Sequence, residues 1–513
     1  MQDLTTKATD NQEAIANQGA DHTAPDRKAA VKQISRPVKR ALCSGKRNKR
    51  ILTVEEKALY VKKAEIIRNG LVSHSWRDLE VNRKFDKNEK LGLMNSDVLI
   101  IGCDIGSEKH YARAFDEKGV ELSGKAFPIE NHREGYKSFM GWALEIAAMN
   151  DKSQIIVGIE PTGHYWFCFY DWLMASGVTV VQVNPYAVKQ TKEIDDNSQL
   201  KSDQKDPSVI AKLVKDGSYG LPYLPEKVYA DLRNLSLLRT QLMEDRTRAV
   251  NRLHRDMAIY FPEYKAVFGK NLDGTFALTL LCEAQVPADF ISQGVDGIKE
   301  IWHRQKLSGR GYNWASKIVQ LSMDTVGLTE GADSIRHSIK HFAEEIIRLS
   351  KEIKAVNSLI EEAVQKIDNY DKVKAIPGMG DVNLPSIIAD IGDLSRFDDP
   401  KELQKIAGLN IVSNSSGKHN GESKISKRGR KRLRYWLYQG AMSLVSHNEA
   451  FKELHQYYTT RAENPLTKMQ SLILLGCKLV RILYKILTTG VAYDPEQVVA
   501  GVRKRKEELK AAA

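Results

Sequence analysis

Strand-like and helix-like segments alternate between residues 96 and 222, and helical periodicity then runs to the end of the chain, which predicts an α/β domain followed by an all-α half. Two observations carry this. The runs Val98-Leu-Ile-Ile-Gly-Cys103, Ile155-Ile-Val-Gly-Ile159 and Val178-Thr-Val-Val-Gln-Val183 are short, apolar and rich in β-branched residues, as strands buried on both faces are. Ile339, Phe342, Ile346, Leu349, Ile353, Val356, Ile360, Val364 and Ile367 repeat at spacings of three and four, which is a heptad seam.

Residues 1–95 form an extension that reads as basic and disordered or helical. Ten Lys or Arg fall between Arg27 and Arg50, so this stretch is either an arm for a polyanion or a solvated tail, and residues 53–95 look helical and charged. From Val98 a strand is followed by Lys109 to Asp116, the turn Glu117-Lys-Gly119, a third strand near Glu121 to Ile129 and a helix from Gly135 to Met149. A meander followed by a helix fits the opening of an RNase H-like fold. A strand at 154–159, a helix at about 163–175, a strand at 178–183 and a helix after Pro207 complete the α/β domain.

In the second half, Pro225 suits the first turn of a long helix reaching Met257, with Leu232, Leu235, Leu238 and Leu242 on one face. Residues 266–335 read as a small helical insertion within a coiled-coil connector spanning 223–370, and the seam that follows needs a partner, either the 225–257 helix or another subunit. A helical domain over 371–495 and a charged tail over 496–513 close the chain.

A chain of 513 residues is too long for one core and divides into two or three domains. Its 77 Lys and Arg against 65 Asp and Glu, a formal charge of +12, favour a polyanionic partner. Five scattered cysteines, at 43, 103, 168, 282 and 477, form no C-x-x-C pair, which excludes a disulfide framework or zinc knuckle and fits a reducing cytoplasm. No apolar stretch approaches the roughly 18 residues of a membrane span, so no membrane partner is expected.

Chemistry concentrates in four carboxylates. Asp104 and Glu160 each end an apolar run, and Asp203 and Asp206 lie in Lys201-Ser-Asp-Gln-Lys-Asp206. Gathered together they repel one another unless a divalent cation offsets their charge, and all-oxygen ligands suit Mg2+. Two such ions about 4 Å apart serve phosphoryl transfer in nuclease-type sites. Asp203 and Asp206 share a helix face if the helix runs through both, but Pro207 makes Asp206 equally a helix cap with its oxygen on backbone amides.

Two regions of the second half suggest phosphate contact. Ala375-Ile-Pro-Gly-Met-Gly380 is a turn between helices, like that of a helix-hairpin-helix element, in which Gly378 and Gly380 leave backbone amides open to a phosphate. The run from Ser423 to Arg434 carries Lys424, Lys427, Arg428, Arg430, Lys431, Arg432 and Arg434 and leads into an amphipathic helix, a pattern that binds nucleic-acid backbones or else forms a solvated face. The loop before it holds Ser413, Ser415 and Ser416, which on chemistry alone read as turn formers.

Together Ile101-Gly-Cys-Asp104, Gly158-Ile-Glu-Pro-Thr-Gly163, Asn184-Pro185, Lys201-Ser-Asp-Gln-Lys-Asp206, Ile376-Pro-Gly-Met-Gly380, Asp390-Ile-Gly-Asp393, Ala407-Gly-Leu409, Ser416-Gly417 and Ile425-Ser-Lys-Arg-Gly429 resemble the DEDD transposases of insertion-sequence family 110, the bridge-RNA-guided recombinases. The resemblance covers residues 98–260 and 335–490. It implies a RuvC-like domain carrying Asp104, Glu160, Asp203 and Asp206 as magnesium ligands, a coiled-coil connector, and a C-terminal transposase domain whose nucleophile falls on Ser416. It further implies donor and target DNA, a structured guide RNA, a composite site assembled in a dimer or tetramer, and a cytoplasmic, nucleoid-associated protein. A Holliday-junction-type nuclease using water, and a non-catalytic nucleic-acid-binding scaffold, are the alternatives.

Overall fold

The computed structural model describes residues 53–71, 87–196, 206–269, 271–307, 311–412, 415–416, 419–420 and 424–511. The basic arm at 27–50 and the carboxylate Asp203 lie outside them. The described residues divide into two units, one made of residues 53–71 with 87–220, the other of residues 221 onward. Among the described residues no helix is long and apolar enough to cross a membrane.

The first unit opens with α1 (Val54–Gly70), started by a capping box in which Thr53 and Glu56 satisfy each other's backbone amides. After α2 (Lys87–Gly92) come β1 (Val98–Asp104), β2 (Lys109–Phe115), β3 (Phe127–Glu130), α3 (Arg133–Met149), β4 (Gln154–Ile159), α4 (Phe167–Ala175), β5 (Thr179–Val183), α5 (Pro185–Asp196), α6 (Asp206–Lys215) and β6 (Tyr219–Gly220). They build one mixed sheet in the order β3-β2-β1-β4-β5-β6, with β1, β4 and β5 parallel and the others antiparallel to their neighbours. The continuous apolar runs are the central strands, buried on both faces. The helix at 54–70 belongs to this unit, packed on α3 with Lys63 paired to Asp151 at 2.7 Å.

Two expectations shift. The third strand covers only Phe127–Glu130, because Ser123 turns back so that its hydroxyl accepts from Ala114 N and Gly124 takes a left-handed φ of 69°; a single bridge between Phe115 and Glu121 is all that remains upstream. Helix α5 is absent from the sequence reading because its residues after Pro185 are largely polar, with too few apolar positions to stand out.

The contact between sheet and α6 is set by two glycines that face each other in register, Gly102 on β1 and Gly158 on β4. A Cβ at 102 would collide with the carbonyl of Pro207 and stand 2.7 Å from Ala211 N, and one at 158 would strike Val214. At Gly102 helix backbone therefore lies directly on strand backbone, and at Gly158 the Val214 and Ile210 side chains press onto the strand. Gly102→Ala is expected to destabilise this unit by about 3 kcal/mol, since neither rigid element can yield, which a shift of the denaturant midpoint at unchanged slope would register.

The second unit is helical. Its long helices α7 (Lys227–Tyr260) and α12 (Ala332–Val364) pack antiparallel, as the side-chain pairs Arg239–Asn357 (2.7 Å), Arg246–Ser350 (2.9 Å) and Asp256–Ser338 (2.8 Å) show. Within the chain, the seam residues Leu349, Ile353, Val356 and Ile360 thus cluster with Leu232 and Leu242. Between the two helices, α8 (Tyr264–Phe268), α9 (Thr275–Glu283), α10 (Pro287–Arg304) and α11 (Gly311–Met323) form the inserted subdomain around Phe261, Tyr264, Phe290 and Trp302. The remaining elements are α13 (Tyr370–Lys374), α14 (Asn383–Ile391), α15 (Pro400–Ile406), the two-residue strands β7 (Ile411–Val412), β8 (Ser415–Ser416), β9 (His419–Asn420) and β10 (Lys424–Ile425), then α16 (Lys431–His447), α17 (Glu449–Thr460), α18 (Lys468–Thr489) and α19 (Pro495–Ala511).

Candidate active site

In the parallel pair β1 and β4, Cys103 stands opposite Ile159, so Asp104 and Glu160 leave neighbouring strands at the same end. Asp104 is two residues beyond Gly102 and points to the face that α6 covers. The backbone contact at Gly102 fixes α6 so that its first residue, Asp206, arrives at that corner. This is also where the strand order reverses, with β2 and β3 on one side and β4 to β6 on the other, the position at which open α/β sheets form a crevice.

Asp206 is 4% exposed. It begins the helix, and its Oδ2 meets the ammonium of Lys192 on α5 at 2.5 Å, so the expected cap on backbone amides is not the arrangement found. Among the described residues its buried Oδ1 has no hydrogen-bond partner. A buried carboxylate oxygen in that condition calls for an ion or water, and an all-oxygen donor set suits a hard divalent cation. Among the described residues no three His, Cys, Asp or Glu stand close enough to hold one ion; Asp203 is not among them. Burial, then the Asp104 charge, push the Cys103 thiol well above its ordinary range, which leaves it an inert core residue. Lys192 escaped the sequence reading because one lysine in a polar segment gives no signal of its partner.

The phosphate-binding expectations separate in the second unit. Gly378 packs against α16, where a Cβ would stand 3.0 Å from Ser443 O and 3.1 Å from Leu444 Cα; its φ of 92° and this packing both call for glycine. Gly380 is exposed with open space around it. Of the basic run, Arg432 grips the buried Asp390 through both carboxylate oxygens at 2.8 and 2.9 Å, Arg430 donates to the Asp390 carbonyl, and Arg434 donates to the carbonyl of Ala407 at 2.9 Å. Burial, with Arg233 and Arg396 nearby, brings Arg430 down to about 10. Lys424, Lys427, Arg428 and Lys431 are the exposed cations. Arg432→Ala is expected to destabilise the helical unit by about 3 kcal/mol by stranding Asp390, whereas Lys431→Ala leaves the melting temperature in place and weakens DNA binding, with a shallower salt dependence.

Ser416 lies in β8, where it pairs with His419 of β9 in a two-strand flap preceding the basic helix.

Two family models match the chain. One, described as a transposase of the DEDD type found in IS110 elements, matches residues 101–262, and one described as a transposase of the IS116/IS110/IS902 family matches residues 370–456. The first span contains all four carboxylates and the second contains the Pro-Gly-Met-Gly turn, Ser416 and the basic run. An uncharacterized protein of insertion element IS116 from Streptomyces clavuligerus is 25% identical over 78% of this chain and 97% of its own length. A transposase for insertion sequence element IS1111A from Coxiella burnetii is 21% identical over 68% of this chain and 79% of its own. A pilin gene-inverting protein from Moraxella lacunata is 28% identical over 31% of this chain and 48% of its own. With matches at both its carboxylate-bearing unit and its helical unit, the chain belongs to the IS110 family of transposases.

Proposed function

We propose that this transposase cuts and rejoins DNA through a phosphoserine link made by Ser416, with Asp104, Glu160, Asp203 and Asp206 as its magnesium ligands on an RNase H-like, RuvC-type scaffold. Supporting the reading, Asp104 and Glu160 follow neighbouring parallel strands at the same end, Asp206 begins the helix packed on Gly102, and among the described residues its buried Oδ1 has no partner. When bound, magnesium offsets the carboxylate charges and steadies negative charge on the scissile phosphate. Lys192 fixes the orientation of Asp206. The Ser416 hydroxyl forms the new P–O bond, the leaving strand departs with its oxygen, and the retained phosphoester allows rejoining without an outside energy source.

The exposed cations at 424, 427, 428 and 431 hold backbone phosphates without reading bases, which suits a division of labour in which a structured RNA pairs with donor and target DNA. The active species is a dimer or tetramer. The test uses protein co-expressed with the DNA that flanks its gene, incubated with end-labelled target and donor. An adduct of protein and labelled DNA that survives denaturation supports the phosphoserine mechanism; cleavage without adduct supports the water-using nuclease; neither, with binding intact, supports a scaffold.

A further inference from the structure

A cleft of about 350 Å³ opens between α18, the 490–494 turn and α19. Its floor is aliphatic, from Leu475, Ile482 and Ile486, and Tyr458 and Tyr493 add aromatic wall. Lys478, Arg481 and Lys485 follow one another at spacings of three and four along α18, so they share a helix face at the rim. Lys478 is already engaged, its ammonium donating to the Val498 carbonyl. Arg481 and Lys485 are exposed and meet no carboxylate among the described residues. The acid on the lining, Asp494, accepts from Glu496 N at 2.9 Å at the start of α19.

A cleft with an aliphatic and aromatic lining and two exposed cations, which meet no carboxylate among the described residues, matches a ligand that is aromatic at one end and dianionic or monoanionic phosphate at the other. The volume sits at the small end of the range for ligand sites and admits one base and sugar. A base stacked inside a duplex cannot enter such a slot, whereas an unpaired base offers its face to aromatic and aliphatic side chains. The geometry points to a seat for one unpaired nucleotide, its base against Tyr458 and the floor and its phosphate on Arg481 and Lys485. This rests on the chain's being a nucleic-acid enzyme, and it adds a binding site remote in sequence from both the carboxylates and Ser416. The nucleotide comes either from an unpaired stretch of strand or from solution as a free nucleotide.

The test compares full-length protein with the double variant Arg481→Ala/Lys485→Ala, whose side chains are exposed. Binding of a labelled single-stranded oligonucleotide and of its duplex is measured across salt, with adenosine monophosphate as competitor. The variant is expected to lose about 10-fold in single-strand affinity near physiological salt, with the log–log salt slope shallower by about 1.4, and to bind duplex as before. A bromouracil-substituted strand is expected to photo-crosslink to Tyr458 or Tyr493. Competition by the mononucleotide at millimolar concentration assigns the seat to free nucleotide, and its absence assigns it to the strand. Equal losses on single strand and duplex, or unchanged binding with no crosslink, overturn the assignment. Adduct formation is scored on the same samples: an unchanged adduct with unchanged binding sinks the seat alone, whereas an adduct missing from the unaltered protein, with the binding loss present, sinks the catalytic proposal alone.

Discussion

Replacing Ser416 by alanine is expected, on the proposed phosphoserine mechanism, to remove strand exchange and the denaturation-resistant protein–DNA adduct together, with a fall on the order of 10³-fold or more, because a nucleophile has no partial substitute. Position 416 lies in a two-residue strand rather than in a helix, and Ser→Ala removes one hydroxyl, so the melting temperature is expected to stay unchanged. Binding to DNA also stays, because the cations at 424, 427, 428 and 431 are untouched. Gel separation of adduct after denaturation, with a filter-binding measurement on the same samples, separates loss of chemistry from loss of binding. Cleavage by Ser416→Ala at the rate of the unaltered protein would show that water, not the serine, attacks.

Asp104→Asn is the complementary experiment, and its expected loss of cleavage is of similar size, on the order of 10³-fold. Asn keeps the shape of the side chain and one oxygen but removes the charge that offsets a divalent ion. Asp104 sits at the end of a fully paired central strand whose register with β2 and β4 does not depend on the carboxylate. Folding is therefore expected to be retained, and calorimetric titration with magnesium is expected to show weakened uptake while the melting temperature without metal stays put. Retained recombination in Asp104→Asn would remove this residue from the mechanism and favour the scaffold reading.

Much of the α/β unit could be read from its residues because its central strands announce themselves. Val98 to Cys103 and Ile155 to Ile159 have no polar face, and only a strand buried on both sides tolerates that. That Asp104 and Glu160 follow neighbouring strands at the same end could be read from the same runs. What could not be read were contacts between side chains distant in sequence. Lys192 looks like any surface lysine until α5 places it at Asp206. The basic run was legible as charge density, but not that Asp390, some forty positions upstream, claims Arg430 and Arg432. Gly378 was legible as a turn glycine, as its φ of 92° bears out, but its second reason, the close approach of α16, was not.

The glycines under α6 also bear on how tolerant this corner is of change. Where side chains separate two elements, rotamer adjustments absorb small errors; at Gly102, where strand backbone meets the backbone of Pro207 and Ala211, no such cushion intervenes. Any slippage of α6 along β1 is therefore passed undiminished to Asp206, and the spacing of the acids inherits the stiffness of the polypeptide itself.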